Sequence, residues 1–333
     1  MLYALLCITL VCGTARAAFG KKIGTLLKRP PDLFFYNGVT FAVIFVIVFT
    51  AWLINITAVS WFTALWGLAF AAVMLAAQLF NMLALKDGAM GLCSFFYSCG
   101  FVIAAFAGVL FWDEPFFWSQ IAGVALVAAS FVPIVFLSKS RKKPVAREEG
   151  AKQIEAPTAD GQEATAPRKK PKIWIVFALI SMVASGILGV IQKIHQTSDV
   201  HKDELFAFLF ISFAAASLIA FIFRFVAARR SKGAAEIEPA AVDITAAQKI
   251  PFCKSGLFFA LLNGAVFGVV NILNTYLSGR LPSMIFFPVY NGGVIFAGLF
   301  TGLLVFKEKI TGYDIIGLII GVAGIILIAL KPF

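Results

Sequence analysis

The chain has 333 residues, of which 61% are hydrophobic and 14% are charged, with a formal net charge of +11. An average soluble domain has roughly 45–50% apolar and about 25% charged residues, so this composition excludes an ordinary soluble enzyme. Blocks without an ionisable residue, such as Val39 to Trp52 and Leu257 to Val270, predict membrane spans, because lipid offers no partner to an unpaired backbone amide.

Ten spans fit around three polar stretches of the sequence, at Gly20 to Asp32, Ser138 to Lys172 and Ala228 to Lys254. Each span needs about 20 residues to cross the hydrocarbon layer. In chain order, we predict helices at Leu2–Phe19, Leu33–Ile56, Trp61–Leu83, Ala89–Phe111, Phe116–Leu137, Ile173–Ile191, Glu204–Ala227, Ser255–Leu277, Ser283–Phe306 and Thr311–Leu330.

The first segment also has some features of a secretory signal, because Thr14 to Ala18 imitates a small-residue cleavage site. A basic region before the apolar core is missing, and Arg16 lies where a cleavage site prefers small neutral residues. We therefore expect the first segment to be retained as a span.

The second half of the chain repeats unusual positions of the first at an offset of 193 or 194 residues. The matched pairs are Asn81 with Asn274, Tyr97 with Tyr290, Gly100 with Gly293, Gly108 with Gly302, Glu114 with Glu308 and Gly123 with Gly317. Two five-helix repeats are therefore predicted, and because five is odd, the second enters the membrane inverted. The expected fold is an all-α integral membrane protein of ten transmembrane helices.

This layout resembles the drug/metabolite transporter superfamily, and its EamA family in particular. The resemblance rests on the two five-helix halves and on the segments Phe111 to Glu114 and Val305 to Glu308, which each precede a glycine-bearing last helix. It implies a secondary transporter, an exporter or exchanger of a small metabolite such as an amino acid, with a central cavity between two helix bundles. The expected location is the inner (plasma) membrane, where the partners are the metabolite and the lipid bilayer.

The predicted repeats occupy residues 1–137 and 173–333, and residues 138–172 form a basic linker that has almost nothing to bury and is expected to be disordered. Its basic runs are expected to fix topology and to contact anionic lipid headgroups. Without a folded module they do not indicate nucleic-acid binding.

The basic residues favour one side of the membrane. Counted from the amino end, the odd-numbered connections and their flanks hold 24 of the 28 Lys and Arg residues. The positive-inside rule then makes these connections cytoplasmic and places both termini outside. The family resemblance implies the reverse, with both termini inside, so the sequence leaves the orientation open.

Polar side chains inside spans are costly and so indicate either a substrate cavity or contacts between helices. On the eighth predicted span Asn263, Asn271 and Asn274 share one helical face, and Gln78 and Asn81 lie on the equivalent face of the third. We consider Asn271 and Asn274 the better candidates for binding a substrate.

Two tyrosines in the fourth and ninth predicted spans, Tyr97 and Tyr290, are further candidates, with Asn291 beside the second. A buried tyrosine hydroxyl needs a hydrogen-bond partner. Pro288 before Tyr290 and the pair Gly292–Gly293 after it predict a loosened ninth helix, either at a ligand or as a structural kink.

Arg16 either extends to the lipid headgroups, which we expect, or turns inward to anchor a carboxylate or phosphate. Gln192 and Lys193 lie at a similar end of the sixth span, and Lys193 is the second candidate for such an anchor. Trp66 stacks on a ring-bearing substrate or, more commonly for such a residue, packs between helices.

Glu114 and Glu308 precede tight turns and are expected to accept backbone amides at the start of the following helix, in a structural or gating role. The first and sixth spans contain no Asp or Glu, so no proton relay through an embedded acid is indicated, and Asp314 is the remaining titratable candidate.

No catalytic motif and no metal or redox spacing of cysteines appears, so we expect neither an enzyme nor a cofactor. A lipid or lipid-linked sugar flippase and a non-transporting sensor or scaffold remain alternatives. Small-residue spacings, at Gly264 and Gly268 and at Gly317 and Gly321 among others, permit close packing within the monomer or in a homodimer.

Overall fold

The computed structural model describes residues 2–26, 30–88, 90–114, 117–133, 173–237, 254–307 and 311–329, and within these ranges it is all-helical, without a strand. A 3₁₀ turn at Lys202–Glu204 precedes α8. The α-helices are α1 (Leu2–Leu26), α2 (Pro30–Ile54), α3 (Trp61–Asp87), α4 (Met90–Cys99), α5 (Phe101–Trp112), α6 (Trp118–Val132), α7 (Ile173–Gln196), α8 (Leu205–Ile237), α9 (Lys254–Ser278), α10 (Ser283–Leu304) and α11 (Gly312–Ala329).

Each predicted span coincides with a described helix, and the fourth is divided between α4 and α5. Among the described residues, seven segments are long and apolar enough to cross a membrane, and shorter apolar segments lie in α6, α10 and α11. The all-helical class is confirmed, and ten spans remain a prediction. The predicted linker, residues 138–172, lies outside the described residues.

The main helix contacts join the first half of the chain to the second. Helices of equal rank in the two halves pack together: α2 on α8, α6 on α11, and α4 and α5 on α10. The first and third helices of the halves pack crosswise, with α1 on α9 and α3 on α7. The pattern of contacts is therefore unchanged when the two halves are exchanged.

Two turns repeat the same backbone conformation. Asp113 after α5 and Lys307 after α10 have φ values of 50° and 49°, and they are the described non-glycine residues with positive φ. A left-handed conformation costs an L-residue roughly 1–2 kcal/mol, so it is uncommon outside glycine. The two positions are 194 residues apart, which is the offset of the sequence repeat in this region.

The helix interruption lies in the fourth predicted span and not in the ninth. Helices α4 and α5 meet at Gly100, where the chain packs so closely on α7 that a Cβ on Gly186 would lie 2.6 Å from the Gly100 carbonyl oxygen. Helix α10 continues through Gly292 and Gly293, so the ninth predicted span is not interrupted at these glycines. Gly293 instead allows α10 to approach Leu10 of α1.

The small-residue spacings pack within the chain. A Cβ on Gly264 of α9 would lie 2.7 Å from the Val43 side chain of α2, and Gly321 of α11 faces Phe95 of α4. These glycines therefore bring helices of one monomer together, and a homodimer stays a prediction that they do not support.

The helix ends define two faces. The basic face contains the ends at Leu26, Asp87, Ile173 and Lys254, next to the connections that are rich in Lys and Arg. The opposite face contains Ser60, Trp112, Gln196 and Ser283. At the basic face the Lys21 ammonium donates to the carbonyls of Leu85 and Gly88, both at 2.9 Å, and so ties the end of α1 to the end of α3.

Candidate functional site

Two cavities meet between the halves of the chain. The aromatic cavity, with about 540 Å³ of empty volume, is lined by Phe70, Phe101, Phe267 and Phe287 among others. The polar cavity, with about 570 Å³, is lined by Gln78, Asn81, Ser94 and Ser98 among others and extends to Gly20 and Leu85, near the basic face. Arg16, Tyr97, Tyr290 and Asn291 line both cavities and so mark their junction.

Arg16 turns inward. Its Nη2 donates to Gln78 Oε1 at 2.7 Å, and its Cζ lies 3.7 Å from the ring centroid of Phe267 and 5.3 Å from that of Tyr97. The expectation that Arg16 extends to the headgroups is therefore wrong. The amide of Gln78 and the two aromatic faces offer the guanidinium polar and cation–π contacts inside the protein.

The sequence of α1 contains a signal for this inward position. Gly13, Ala17 and Gly20 line the polar cavity together with Arg16, and these four positions are spaced by three, one and three residues. Such spacing places them on one helical face. Small residues on both sides of the arginine leave room for a cavity, whereas a lipid-facing arginine needs no such neighbours.

Tyr290 closes the junction against α1. A Cβ on Gly13 would lie 2.9 Å from the Tyr290 hydroxyl oxygen, so only glycine at position 13 accepts this tyrosine without a shift. The Tyr290 ring lies parallel to that of Phe286, with centroids 6.1 Å apart. The tyrosine is therefore held between its own helix and α1.

The side-chain amides that line the cavities differ in their hydrogen bonds. Asn271 and Asn291 each donate to a carbonyl of their own helix, at 2.9 and 2.8 Å, and Gln192 donates to Thr275 Oγ1 at 2.9 Å. The Oδ1 atom of Asn274 is buried and has no hydrogen-bond partner among the described residues. An unpaired buried acceptor is costly, which makes Asn274 ready to accept a hydrogen bond from a ligand.

Most predicted site residues meet in these cavities, and two do not. Those that line one cavity or both are Arg16, Gln78, Asn81, Tyr97, Gln192, Asn271, Asn274, Tyr290 and Asn291. Asn263 is fully buried elsewhere in α9, and neither of its amide atoms has a partner among the described residues. Trp66 packs edge-on against Phe62, with ring centroids 6.2 Å apart, and lines neither cavity.

The aromatic lining was largely missed. Phe101 lies just after the interruption at Gly100, and Phe287 precedes Tyr290 by three residues, on the same side of α10. Phenylalanine is so frequent in this sequence, with 36 residues, that a single one carries no signal. The helical face shared with Tyr290 is the feature that would have identified Phe287.

Glu114 joins the two halves at the opposite face. It forms an ion pair with Lys193 of α7, and its Oε1 accepts from the backbone N–H of Ser283, the first residue of α10, at 3.3 Å. The expectation that it caps the following helix is wrong, because Gln120 Oε1 accepts the backbone N–H of Phe117 there, at 2.9 Å. Lys193 is thereby occupied, so it is not a free anchor for a substrate.

A second polar cluster joins the halves at the same face. Ser60, the N-cap of α3, donates from its backbone N–H and its hydroxyl to Glu204 Oε2, at 3.0 and 2.8 Å. Thr63 Oγ1 lies 3.0 Å from His195 Nε2 of α7. Together with the pair of Glu114 and Lys193, this cluster joins the two halves at the opposite face.

Two predicted residues lie beyond what can be described. Glu308 is outside the described residues, as is the side chain of Asp314. Within the described ranges, no group of three or more His, Cys, Asp or Glu side chains is arranged to hold a metal ion.

Comparisons with known proteins concern the second half and the fold. Residues 172–330 match the model of the EamA-like transporter family. No curated protein matches the chain. The solved structures that are similar in fold include a crystal structure of a protein with a TM-score of 0.57 at 13% sequence identity, over 98% of this chain and 95% of that one. The second half of the chain thus matches the EamA-like transporter family, as the resemblance implied, and the apolar helices make the chain a multi-pass membrane protein.

Proposed function

We propose that the chain is a secondary transporter that exports or exchanges a small polar or amphipathic organic metabolite across the plasma membrane by alternating access. The observation that carries the proposal is the pair of cavities between the halves, lined by amides, tyrosines and one arginine in an otherwise apolar protein. A few convergent polar groups in an apolar cleft are typical of small-molecule sites.

We further propose that ten membrane helices form two inverted five-helix repeats. The contacts between helices, which are unchanged when the halves are exchanged, support this architecture. The left-handed turns at Asp113 and Lys307 support it independently, because two uncommon backbone conformations occur at equivalent positions. In such folds the solute site lies near the membrane midplane between the repeats, and the lining of both cavities from the two halves of the chain supports a site of this kind.

The described conformation corresponds to a state closed at the opposite face. The two halves are joined there by a small number of polar contacts, which include Glu114 with Lys193 and Glu204 with Ser60. At the basic face, the Lys21 ammonium donates to the carbonyls of Leu85 and Gly88, which belong to the first half. Rocking of one half against the other would break the contacts at the opposite face and open the aromatic cavity to that side.

A screen for metabolite export and uptake tests the proposal. The variants Asn274→Ala and Tyr290→Phe should lower the flux of the transported solute, because each removes a polar group from the cavity. The exposed residues Asn55 and Tyr313 supply matched controls, as Asn55→Ala and Tyr313→Phe, which should keep full flux. Unchanged flux in both cavity variants would contradict the proposed site, and the absence of flux for every solute would favour a sensor or scaffold.

A further inference from the structure

Arg16 is the one charged side chain among the described residues that line the two cavities. Its contacts are neutral: the amide of Gln78 and the rings of Phe267 and Tyr97. No described carboxylate lies within ion-pair distance of the guanidinium. A guanidinium stays charged at any physiological pH, and a charge inside a membrane protein is costly unless it is paired. The structure therefore leaves an uncompensated positive charge in the cavity.

The guanidinium has donors to spare for a ligand. It carries five N–H donors, of which the bond to Gln78 uses one. Its planar fork matches a carboxylate, which it binds through two parallel hydrogen bonds. Because Arg16 lies where the two cavities join, such a carboxylate would sit at the centre of the space between the halves.

The aromatic cavity next to Arg16 suits an apolar body. Four phenylalanines contribute to its wall, and Leu188 and Val270 add aliphatic surface. The unpaired Oδ1 of Asn274 offers an acceptor for a hydroxyl or amide hydrogen on the ligand.

Neither cavity offers a counter-charge for an ammonium group, since none of the described lining residues is acidic. We propose that the solute is an organic anion, a carboxylate with an aromatic or branched apolar body and no ammonium group, and that Arg16 binds its carboxylate. This rests on the proposed function, because it takes the cavities as the path of the solute. It replaces the amino acid that the family resemblance implies with a class of net negative charge.

Binding to the purified full-length chain in phosphatidylcholine nanodiscs tests the charge class. The probes are 3-phenylpropanoate, phenylalanine and 2-phenylethylamine, which share a phenyl body and differ in net charge. By isothermal titration calorimetry, the anion should bind at least about tenfold more tightly than the cation, which lacks the carboxylate, and than the zwitterion, whose ammonium group would be buried without a counter-charge. Equal affinities for the three probes would overturn the proposal.

Two variants test the role of Arg16. Arg16→Gln should weaken binding of the anion about ten- to hundredfold. Gln78→Glu should weaken anion binding to the same extent while keeping the arginine, because the new carboxylate would occupy the place of the ligand beside the guanidinium. This second variant tests the proposal if Arg16→Gln does not fold. Arg280→Gln, at an exposed site of the opposite face, is the matched control and should bind normally. Normal anion binding by Gln78→Glu would overturn the proposal.

Measurements of binding and of flux distinguish failure of the proposed anion site from failure of the proposed transport function. Arg16-dependent binding of the anion without flux of any solute would support the anion site and contradict the transporter. Flux of cations or zwitterions that persists in Arg16→Gln would contradict the anion site and leave the transporter in place.

Discussion

Single residues of α1 set the shape of the proposed site. Gly13→Ala would place a Cβ 2.9 Å from the Tyr290 hydroxyl oxygen and 3.1 Å from Val294. We expect Tyr290 to move, with a loss of about 1–3 kcal/mol in stability, as is typical of overpacking, and a fall in flux. Thermal unfolding in detergent and a transport assay measure the two effects.

The matched control lies on the same helix. A Cβ on Gly24 would meet nothing within 4 Å, so Gly24→Ala should keep both stability and flux. If Gly13→Ala behaves like Gly24→Ala, the close approach of Tyr290 to α1 does not matter for transport.

At the residue scale, the sequence predicted which polar side chains lie in the cavities better than it predicted the direction of the Arg16 side chain. Asn271, Asn274, Tyr97 and Tyr290 could be recognised because polar groups are rare in the spans, and they line the cavities. The inward direction of the Arg16 side chain could not be recognised from the sequence. It depends on contacts with Gln78 of α3 and Phe267 of α9, which come together only when the three helices pack.

At the scale of elements, the start of α3 connects local structure to the contact between the halves. The Ser60 hydroxyl accepts from the backbone N–H of Thr63 at 3.2 Å and donates to Glu204. Ser60→Ala should cost about 1 kcal/mol for the lost cap, and more if Glu204 is left underbonded. The loss should appear as a lower midpoint of thermal unfolding.

Ser60→Thr and Ser255→Ala serve as controls for that change. Threonine keeps a hydroxyl at the cap, and Ser255 is exposed in the first turn of α9. Both variants should therefore have a midpoint of thermal unfolding close to that of the wild type. A loss in Ser255→Ala equal to that in Ser60→Ala would show that the cap contributes nothing specific.

The positions of the helices followed from hydropathy, because each span must satisfy its backbone internally, but the interruption did not. Glycines occur at matched positions of the fourth and ninth predicted spans, at Gly100 and Gly293. Only Gly100 separates two helices, where the chain meets the backbone of α7 at Gly186. Tertiary contacts decide whether the helix is interrupted at Gly100 or at Gly293, and a local sequence pattern does not reveal these contacts.

At the scale of the whole molecule, the charge distribution predicts orientation. If the basic face is cytoplasmic, a cysteine introduced at Ala159 in the linker, in a background without native cysteines, should resist an impermeant thiol reagent in intact cells and react after lysis. A cysteine at Val200, which follows α7 at the opposite face, should react in intact cells. The reverse pattern would place both termini in the cytoplasm.

The recurrence of Asn, Tyr and Glu at nearly one offset predicts a repeat, but no pattern in the sequence indicates the partner of Glu114. Its ion pair with Lys193 and its bond to Ser283 join positions 79 and 169 residues away, in the other half. Local reasoning assigned Glu114 to the next helix, whereas the fold uses it between the halves.

The central claim is that solute passes between the halves when they separate at the opposite face. The most direct test joins α5 to the end of α7, where Trp112 Nε1 donates to Thr197 Oγ1 at 2.9 Å. The double variant Trp112→Cys and Thr197→Cys, without native cysteines, is treated with a short reducible bifunctional thiol reagent in proteoliposomes. We predict that cross-linking stops solute flux and that reduction restores it, while each single variant stays active. Full flux with the cross-link in place would contradict the claim.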